Sequence, residues 1–297
     1  MALVIKKRIR KALKCFLYFK NPITVIKFLW GRFAKGKKIK IQPKNEKSFF
    51  VARAGDFWMI EKIINGGTIN TYYDKEGGEG YILEDGIFFR QGTSDTTVYK
   101  EIFIDNCYEK SLANIKENSV VIDIGAHIGI FSMYCSPKCK QVFSYEAHPE
   151  NFSLAQKNIK NKNINNIKIE NLAVWSKSNE KIFISDSEET RTGEHTINKE
   201  KGFEVETISL EDIFLKNNIQ RCDLLKIDVE GAEYAILFSA PDIIFEKIES
   251  ISMEYHPDVN KDKRKDDLVR LFENKGYQTE ETILKEGCGL IYAKKKS

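Results

Sequence analysis

Val120-Val121-Ile122-Asp123-Ile124-Gly125-Ala126-His127-Ile128-Gly129 is the stretch from which the fold of this 297-residue chain is read. Val120, Val121 and Ile122 are β-branched and show no polar alternation, the pattern of a strand buried on both faces of a parallel sheet. The strand runs into Asp123, and a loop with glycines at 125 and 129 follows. Ile130, Phe131, Met133 and Tyr134 then recur at helical spacing. Strand, glycine turn and helix start make a nucleotide-binding corner, with backbone N–H groups and the helix dipole facing the ligand.

Downstream the alternation repeats. A strand over 141–145 ends on Glu146, and a helix covers about 151–161. A strand over 167–170 leads into Asn171-Leu172-Ala173-Val174-Trp175. After a polar stretch at 176–201, residues 203–207 read as a strand and 210–216 as a short helix. The apolar strand 224–228 passes into Val229-Glu230-Gly231-Ala232-Glu233 and another helix. Strand 248–254 ends in Tyr255-His256-Pro257. A helix over 263–275 and a closing hairpin, 278–284 with 289–293, complete the pattern. Strands alternating with helices predict an open, doubly wound α/β sheet over 119–297.

Upstream, residues 41–118 read as a small α+β accessory region. Glycines at 66, 67, 77, 78 and 80 punctuate short strands at 81–83 and 86–89. A polar turn over 90–95 and a helix over 97–107 follow. Residues 1–40 form a basic amphipathic helical segment. One helix covers 2–20, with Ile5, Ile9, Leu13, Phe16 and Phe19 near one face and lysines and arginines toward the rest. Asn21-Pro22 reads as an N-cap and first helical position, and a second helix runs from 23 to about 34.

Charge divides the same way. Residues 1–40 hold 13 Lys or Arg and no acid, leaving 34 basic against 43 acidic residues in the remainder. A basic head on an acidic body confines polyanion contact to the N-terminus, and no nucleic-acid partner is expected. No apolar run here approaches the roughly 18–20 residues that span a bilayer. Two readings of the head stay open. It lies peripherally on an anionic, inner membrane surface, or it is a helical hairpin packed on its own domain or on a second subunit in an oligomer. Six cysteines scattered through a long chain without a secretory signal indicate a reducing cytoplasm. Cys135 and Cys139 have i, i+4 spacing, but no second pair completes a metal site, and they read as ordinary helix cysteines.

In a doubly wound sheet the ligand binds beyond the carboxyl ends of the strands. Asp123, Glu146, Asn171, Asp228, Glu230, Glu254 and His256 all fall there. One acid at such an end complements a helix dipole; repetition along one rim points to a site. Glu146, seventeen residues after Gly129, is placed to accept hydrogen bonds from ribose hydroxyls of NAD or of S-adenosylmethionine. The loop lacks the three-glycine spacing that admits a pyrophosphate, and Asp123 would repel one while suiting a sulfonium.

At these residues the chain resembles a known family. Val121–Gly129, Glu146-Ala147-His148-Pro149, Asn171-Leu172-Ala173-Val174, Leu225-Lys226-Ile227-Asp228-Val229-Glu230-Gly231-Ala232-Glu233 and Glu254-Tyr255-His256 resemble the FkbM-type methyltransferases. These are class I enzymes that use S-adenosyl-L-methionine, mostly for O-methylation. The K-I-D-V-E-G-A-E element is the most specific part, and Arg90–Asp95 resembles the segment before the family's first strand. The resemblance covers about 87–256 and nothing in 1–60. It implies a mostly parallel, seven-stranded, Rossmann-like sheet with helices on both faces and the last strand antiparallel. It further implies that Asp123, Gly125, Ala126 and Gly129 border the methionine part of the cofactor and that Glu146 holds the ribose. Asn171 and Ala173 would flank the adenine, with Asn171 standing where many class I enzymes place an acid. Asp228 would border the cofactor as well as the acceptor.

The expected reaction is in-line transfer of a methyl group to a hydroxyl, for which the protein aligns the atoms and removes a proton. His256 is the first candidate for the base, because an imidazole titrates in the useful range; Asp228 is the second. Lys226, Glu230 and Glu254 are substrate contacts or struts. Asp228, Glu254 and His256 could together ligate a divalent cation, though structural ion pairing is the preferred reading and no metal is assigned. His195 sits in the polar stretch, read as a surface loop. The expected acceptor is a sugar hydroxyl in a glycan, glycolipid or related metabolite. The alternatives are an NAD(P)-dependent oxidoreductase on the same fold, or a non-catalytic binding protein that keeps the pocket.

Overall fold

A computed structural model of the chain describes residues 11–30, 39–44, 49–51, 56–65, 67–73, 79–83, 85–185, 202–256, 262–285 and 288–296. The chain divides into two compact units, Met1–Ile104 and Asp105–Ser297. The boundary thus precedes the one expected after residue 118, and packing is the reason. Tyr108 sits edge-on to Phe131 with ring centroids 4.9 Å apart, and Ser111 Oγ donates to Ser252 Oγ at 2.8 Å.

In the first unit residues 11–18 are helical, and a second helix spans Pro22–Leu29. The outer parts of both expected helices, 1–10 and 31–34, lie outside the described residues. Pro22 opens the second helix, but Asn21 does not cap it. Its amide donates to the Lys40 carbonyl at 2.7 Å and its oxygen accepts from Gln42 N–H at 2.9 Å. That ties the helix to strand Ile39–Ile41, which pairs antiparallel with Phe49–Val51. Helix Phe57–Ile64 follows, then an antiparallel sheet of Ile69–Tyr73, Glu79–Leu83 and Phe88–Arg90. The Asp95 carboxylate accepts from Arg90 N–H at 2.7 Å, Nε at 3.1 Å and Nη2 at 2.8 Å. This clamp turns the chain, so the helix starts at Asp95, ends at Tyr99 and continues as a π-helical turn, Lys100–Ile104, in place of the expected helix over 97–107.

Among its described residues the second unit has ten strands. They are β1 Val120–Ile124, β2 Gln141–Tyr145, β3 Ile167–Glu170, β4 Ala173–Trp175, β5 Lys181–Ser185, β6 Gly202–Ser209, β7 Leu224–Ile227, β8 Ser250–Tyr255, β9 Tyr277–Lys285 and β10 Cys288–Lys295. The helices between them include α1 Ile130–Cys135, α2 Pro149–Asn161, α3 Leu210–Lys216, α4 Glu233–Ser239, α5 Asp242–Glu246 and α6 Lys265–Asn274. Seven strands form one sheet in the order β9-β10-β8-β7-β1-β2-β3. β10 runs antiparallel to both neighbours, and the other pairings are parallel. This is the expected fold, with its last strand antiparallel. Val121 through Ile124 are all buried, as is every residue of β7, and alternate side chains point to opposite faces, so helices must cover both. The order reverses at β1, between β2 and β7, which creates the crevice where such sheets bind ligands. β5-β6-β4 form a separate small sheet. β5 falls in the stretch expected to be a polar loop, and His195 lies outside the described residues.

Candidate active site

The site is built on the ends of β1, β2, β7 and β8. Asp123 pairs in register with Ser144 of β2 and Lys226 of β7, so the three side chains share one face of the sheet. Asp123 has no exposed surface. Ser132 donates its hydroxyl to Asp123 Oδ2 and lies 2.8 Å from Ser144 Oγ. Lys226 Nζ is 3.2 Å from Asp123 Oδ1 and 3.8 Å from Asp228 Oδ2, and donates to the Gly125 carbonyl at 2.7 Å. Burial works against this ammonium, but Asp123, Asp228 and Glu146 outweigh it and hold its pKa above the ordinary lysine value. The structure therefore corrects the charge argument made for Asp123. Its charge does not face a ligand bare, because Lys226 compensates it inside the sheet.

The glycine loop makes the stronger case about the ligand. Gly125 and Ala126 N–H both donate to the Tyr145 carbonyl, at 3.0 and 3.1 Å. His127 N–H donates to Glu146 Oε2 at 2.7 Å, and Gly129 N–H to the Ala126 carbonyl at 2.8 Å. Four of the five N–H groups from 125 to 129 are turned onto the chain's own acceptors, whereas a pyrophosphate loop points them outward. Gly125 has φ +77°, and a Cβ there would fall 1.8 Å from the Asp228 carbonyl oxygen. Only glycine lets the loop press against the exit of β7.

Glu146, buried at the end of β2, accepts from His127 N–H, from His148 N–H at 2.9 Å and from Asn151 Nδ2 at 3.3 Å. Burial raises its pKa, with these donors and Lys226 opposing. Three donors leave a carboxylate with acceptor capacity in hand. Asn171 donates from Nδ2 to the carbonyls of Glu146 and Ala147, at 2.8 and 2.9 Å. Its amide nitrogen thus braces the turn after β2, leaving the oxygen for other contacts. Ala173, the buried first residue of β4, follows two residues later.

Across the crevice the groups are ionic. Leaving β7, the chain passes Asp228 and Glu230, the latter at φ 52°. Six non-glycine residues among those described have positive φ; four are asparagines, which tolerate it, and the other two are His127 and Glu230. Both outliers lie on this rim. Glu230 Oε2 is 3.1 Å from His256 Nε2, Glu254 Oε1 is 3.5 Å from the same nitrogen, and Glu233 Oε1 is 2.8 Å from Nδ1. Burial alone would lower the His256 pKa, but Glu233, Glu254 and Glu230 together push it up to about 11. Burial lifts Glu230 to about 8, against the pull of His256, and Asp228, Glu254 and Glu233 add to the rise. Asp228 is also raised, by burial first, with Lys226 opposing and Glu254 adding.

Carboxylates face both ring nitrogens of His256 and favour its imidazolium form. In that form the ring has no lone pair with which to take a proton, so of the two candidates for the base this geometry favours Asp228. Asp228, by contrast, keeps about a third of its side chain exposed. Asp228, Glu254 and His256 do place one potential metal-ligand atom each within 4.8 Å of one another. A cation there would take the His256 Nε2 that now faces Glu230 and Glu254. Two neighbours were given no role by sequence reasoning. Glu233 has no exposed surface and anchors the ring; its signal is a second acid three residues after Glu230. Tyr108, whose phenol is raised by burial first and then by Asp228, Glu254 and Asp123, reaches the site from before β1, where no motif marks it.

Comparison with known proteins gives the family. The family described as Methyltransferase FkbM domain matches residues 123–279. The chain is 26% identical over 192 residues to the 31-O-demethyl-FK506 methyltransferase FkbM of Streptomyces tacrolimicus, covering 54% of this chain and 74% of that protein. It is 23% identical over 186 residues to the hexuronic acid methyltransferase AglP of Haloferax volcanii, covering 63% and 74%. Among solved structures it is similar to magnesium protoporphyrin IX methyltransferase of Synechocystis PCC 6803 with bound SAM, at 12% identity and TM-score 0.40, covering 68% and 83%.

Proposed function

Because this chain belongs to the FkbM methyltransferase family and is an S-adenosylmethionine-dependent methyltransferase, we propose that it methylates a sugar hydroxyl, with Asp228 as the base. The observation that carries the reading is Asp228, the partly exposed acid of raised pKa at the exit of β7, against the Gly125 turn. S-adenosylmethionine, when bound, supplies a methyl group already activated on a sulfonium. The chain's own residues then have two tasks. Gly125, Ala126, Gly129, Glu146, Asn171 and Ala173 hold the cofactor, with Glu146 offering its remaining acceptor capacity to the ribose. Asp228 accepts the proton of the attacking hydroxyl, and its raised pKa makes it a better base than a solvated aspartate. Lys226 and His256 are positioning residues. Lys226 fixes Gly125 and Asp228, and His256 holds Glu230, Glu233 and Glu254 in place.

Support for an oxygen acceptor comes from the 31-O-demethyl-FK506 relative, and support for a sugar from the hexuronic acid relative. In this reading residues 1–40 bring the enzyme to lipid-linked acceptors at an anionic membrane surface. The test is transfer of labelled methyl from S-adenosylmethionine into fractionated cell lipids and glycans, by wild type and by Asp228→Asn. Alkali-stable label in glycan or glycolipid, lost with the variant, is expected. Alkali-labile label would mean a carboxyl ester and would overturn the hydroxyl assignment. Thermal shift by S-adenosylhomocysteine but not by NAD is expected alongside.

A further inference from the structure

Both helices of residues 11–30 are apolar on the side that faces water. Their inner positions, Cys15, Phe19, Val25 and Phe28, are buried as in any packed helix. On the outer side Leu13, Phe16 and Leu17 are 63, 51 and 69% exposed, at the i, i+3, i+4 spacing of one helical stripe. In and just past the second helix, Ile23 and Trp30 are also exposed, at 61 and 46%. With Tyr18 these make six of the twelve large hydrophobic residues exposed among those described. A helix packed on a soluble protein turns polar side chains outward, so this surface is the reverse of the rule. Nor do all the lysines take up the outer face. Lys11 pairs with Glu61, and Lys14 Nζ lies 3.5 Å from the Ile64 carbonyl. Lys20 and Lys27 remain exposed beside the apolar stripe.

We propose that this face docks on the surface of an anionic phospholipid bilayer. Leu13, Phe16, Leu17, Ile23 and Trp30 enter the headgroup–acyl boundary, and Lys20 and Lys27 meet lipid phosphates. No described helix is long and apolar enough to cross a membrane, so the segment lies on the surface. Charge selects this occupant. Thirteen basic and no acidic residues in positions 1–40 suit a negative surface, whereas head-to-head pairing with a second copy of the chain would oppose like charge to like. The proposal deepens the membrane reading of residues 1–40 and is independent of which hydroxyl is methylated.

The full chain is sedimented with vesicles of phosphatidylcholine alone or with about a third phosphatidylserine. Binding to the anionic vesicles is expected to be at least about tenfold tighter and to weaken with salt. Phe16→Glu with Leu17→Glu, both at exposed positions, should reduce it by at least about tenfold. Lys20→Glu with Lys27→Glu should do the same without removing any apolar contact. Equal binding to both vesicle types, no binding, or a dimer in solution that the Phe16→Glu, Leu17→Glu variant dissociates would each overturn the proposal. Thermal shift by S-adenosylhomocysteine, measured on every variant, confirms the fold and keeps this outcome separate from that of the methyltransferase reading.

Discussion

Between Gly125 and Asn171 the rim of the sheet is held by hydrogen bonds, whereas between Lys226 and His256 it is held by charge. On the first side, N–H groups of the glycine loop close on Tyr145 and Glu146, and the Asn171 amide closes on the turn after β2. Each of these donors has an acceptor, and the bonds to Glu146 oppose the rise that burial imposes on its pKa. On the second side Asp228, Glu230, Glu233 and Glu254 gather around one imidazolium and one ammonium, and Glu230 adopts a left-handed backbone. Carboxylates outnumber cations there, which is why burial leaves Asp228, Glu230 and Glu233 with raised pKa values. The satisfied side suits holding a ligand in place; the unbalanced side suits moving a proton.

The largest expected effect comes from removing the base. Asp228→Asn should lower kcat by about 10²–10⁴-fold while the thermal shift by S-adenosylhomocysteine persists. An unchanged kcat would erase the proposed division of labour. In the wild type, activity should fall as pH drops through the Asp228 pKa, which lies above the ordinary aspartate range. His256→Gln comes next. It leaves buried carboxylates without their cation and should destabilise the protein by about 3–5 kcal/mol in urea unfolding. The wild-type contribution of this ring is complete below pH 6.5, its unfolded value, and is lost as pH climbs toward about 11. A variant that lost turnover with no loss of stability would instead make His256 a direct participant.

Glu230→Gln should act in the opposite direction. The Glu230 pKa rises from 4.5 to about 8, so its folded-state penalty is absent below the lower value and complete above the higher one. The variant should therefore melt about 2–4 °C above wild type at alkaline pH and near it in acid, by calorimetry. Asn171→Ala is the smallest change, removing two hydrogen bonds on the satisfied side for about 1–2 kcal/mol. Cofactor affinity measured by titration should weaken several-fold with kcat kept. A kcat loss as large as that of Asp228→Asn would mean that the two sides do not differ.

The strands of the main sheet were legible because each carries its signal locally. Val120–Ile122 lacks alternation, and Leu224–Ile227 repeats the pattern, so both announce strands buried on two faces. Gly125 was legible for the same reason, though its purpose, clearance of the Asp228 carbonyl, was not. Asn21 shows the limit from the other side. Its sequence context is that of a helix cap, yet strand Ile39–Ile41 offers its side chain better partners. Leu13, Phe16 and Phe19 were read as near one face, but Phe19 is buried while Leu13 and Phe16 are exposed, and Lys11 and Lys14 found partners on helix Phe57–Ile64.

The sequence by itself determined the sheet, the glycine turn and the row of polar residues at the strand ends, because periodicity and turn chemistry depend on near neighbours in the chain. The tertiary structure alone decided what those residues are. Lys226 neutralises Asp123 across 103 positions, and Glu233 meets His256 across 23. Burial with these partners, a property of no single stretch, raises the pKa of His256 and of Asp228, the shifts on which the proposed roles rest.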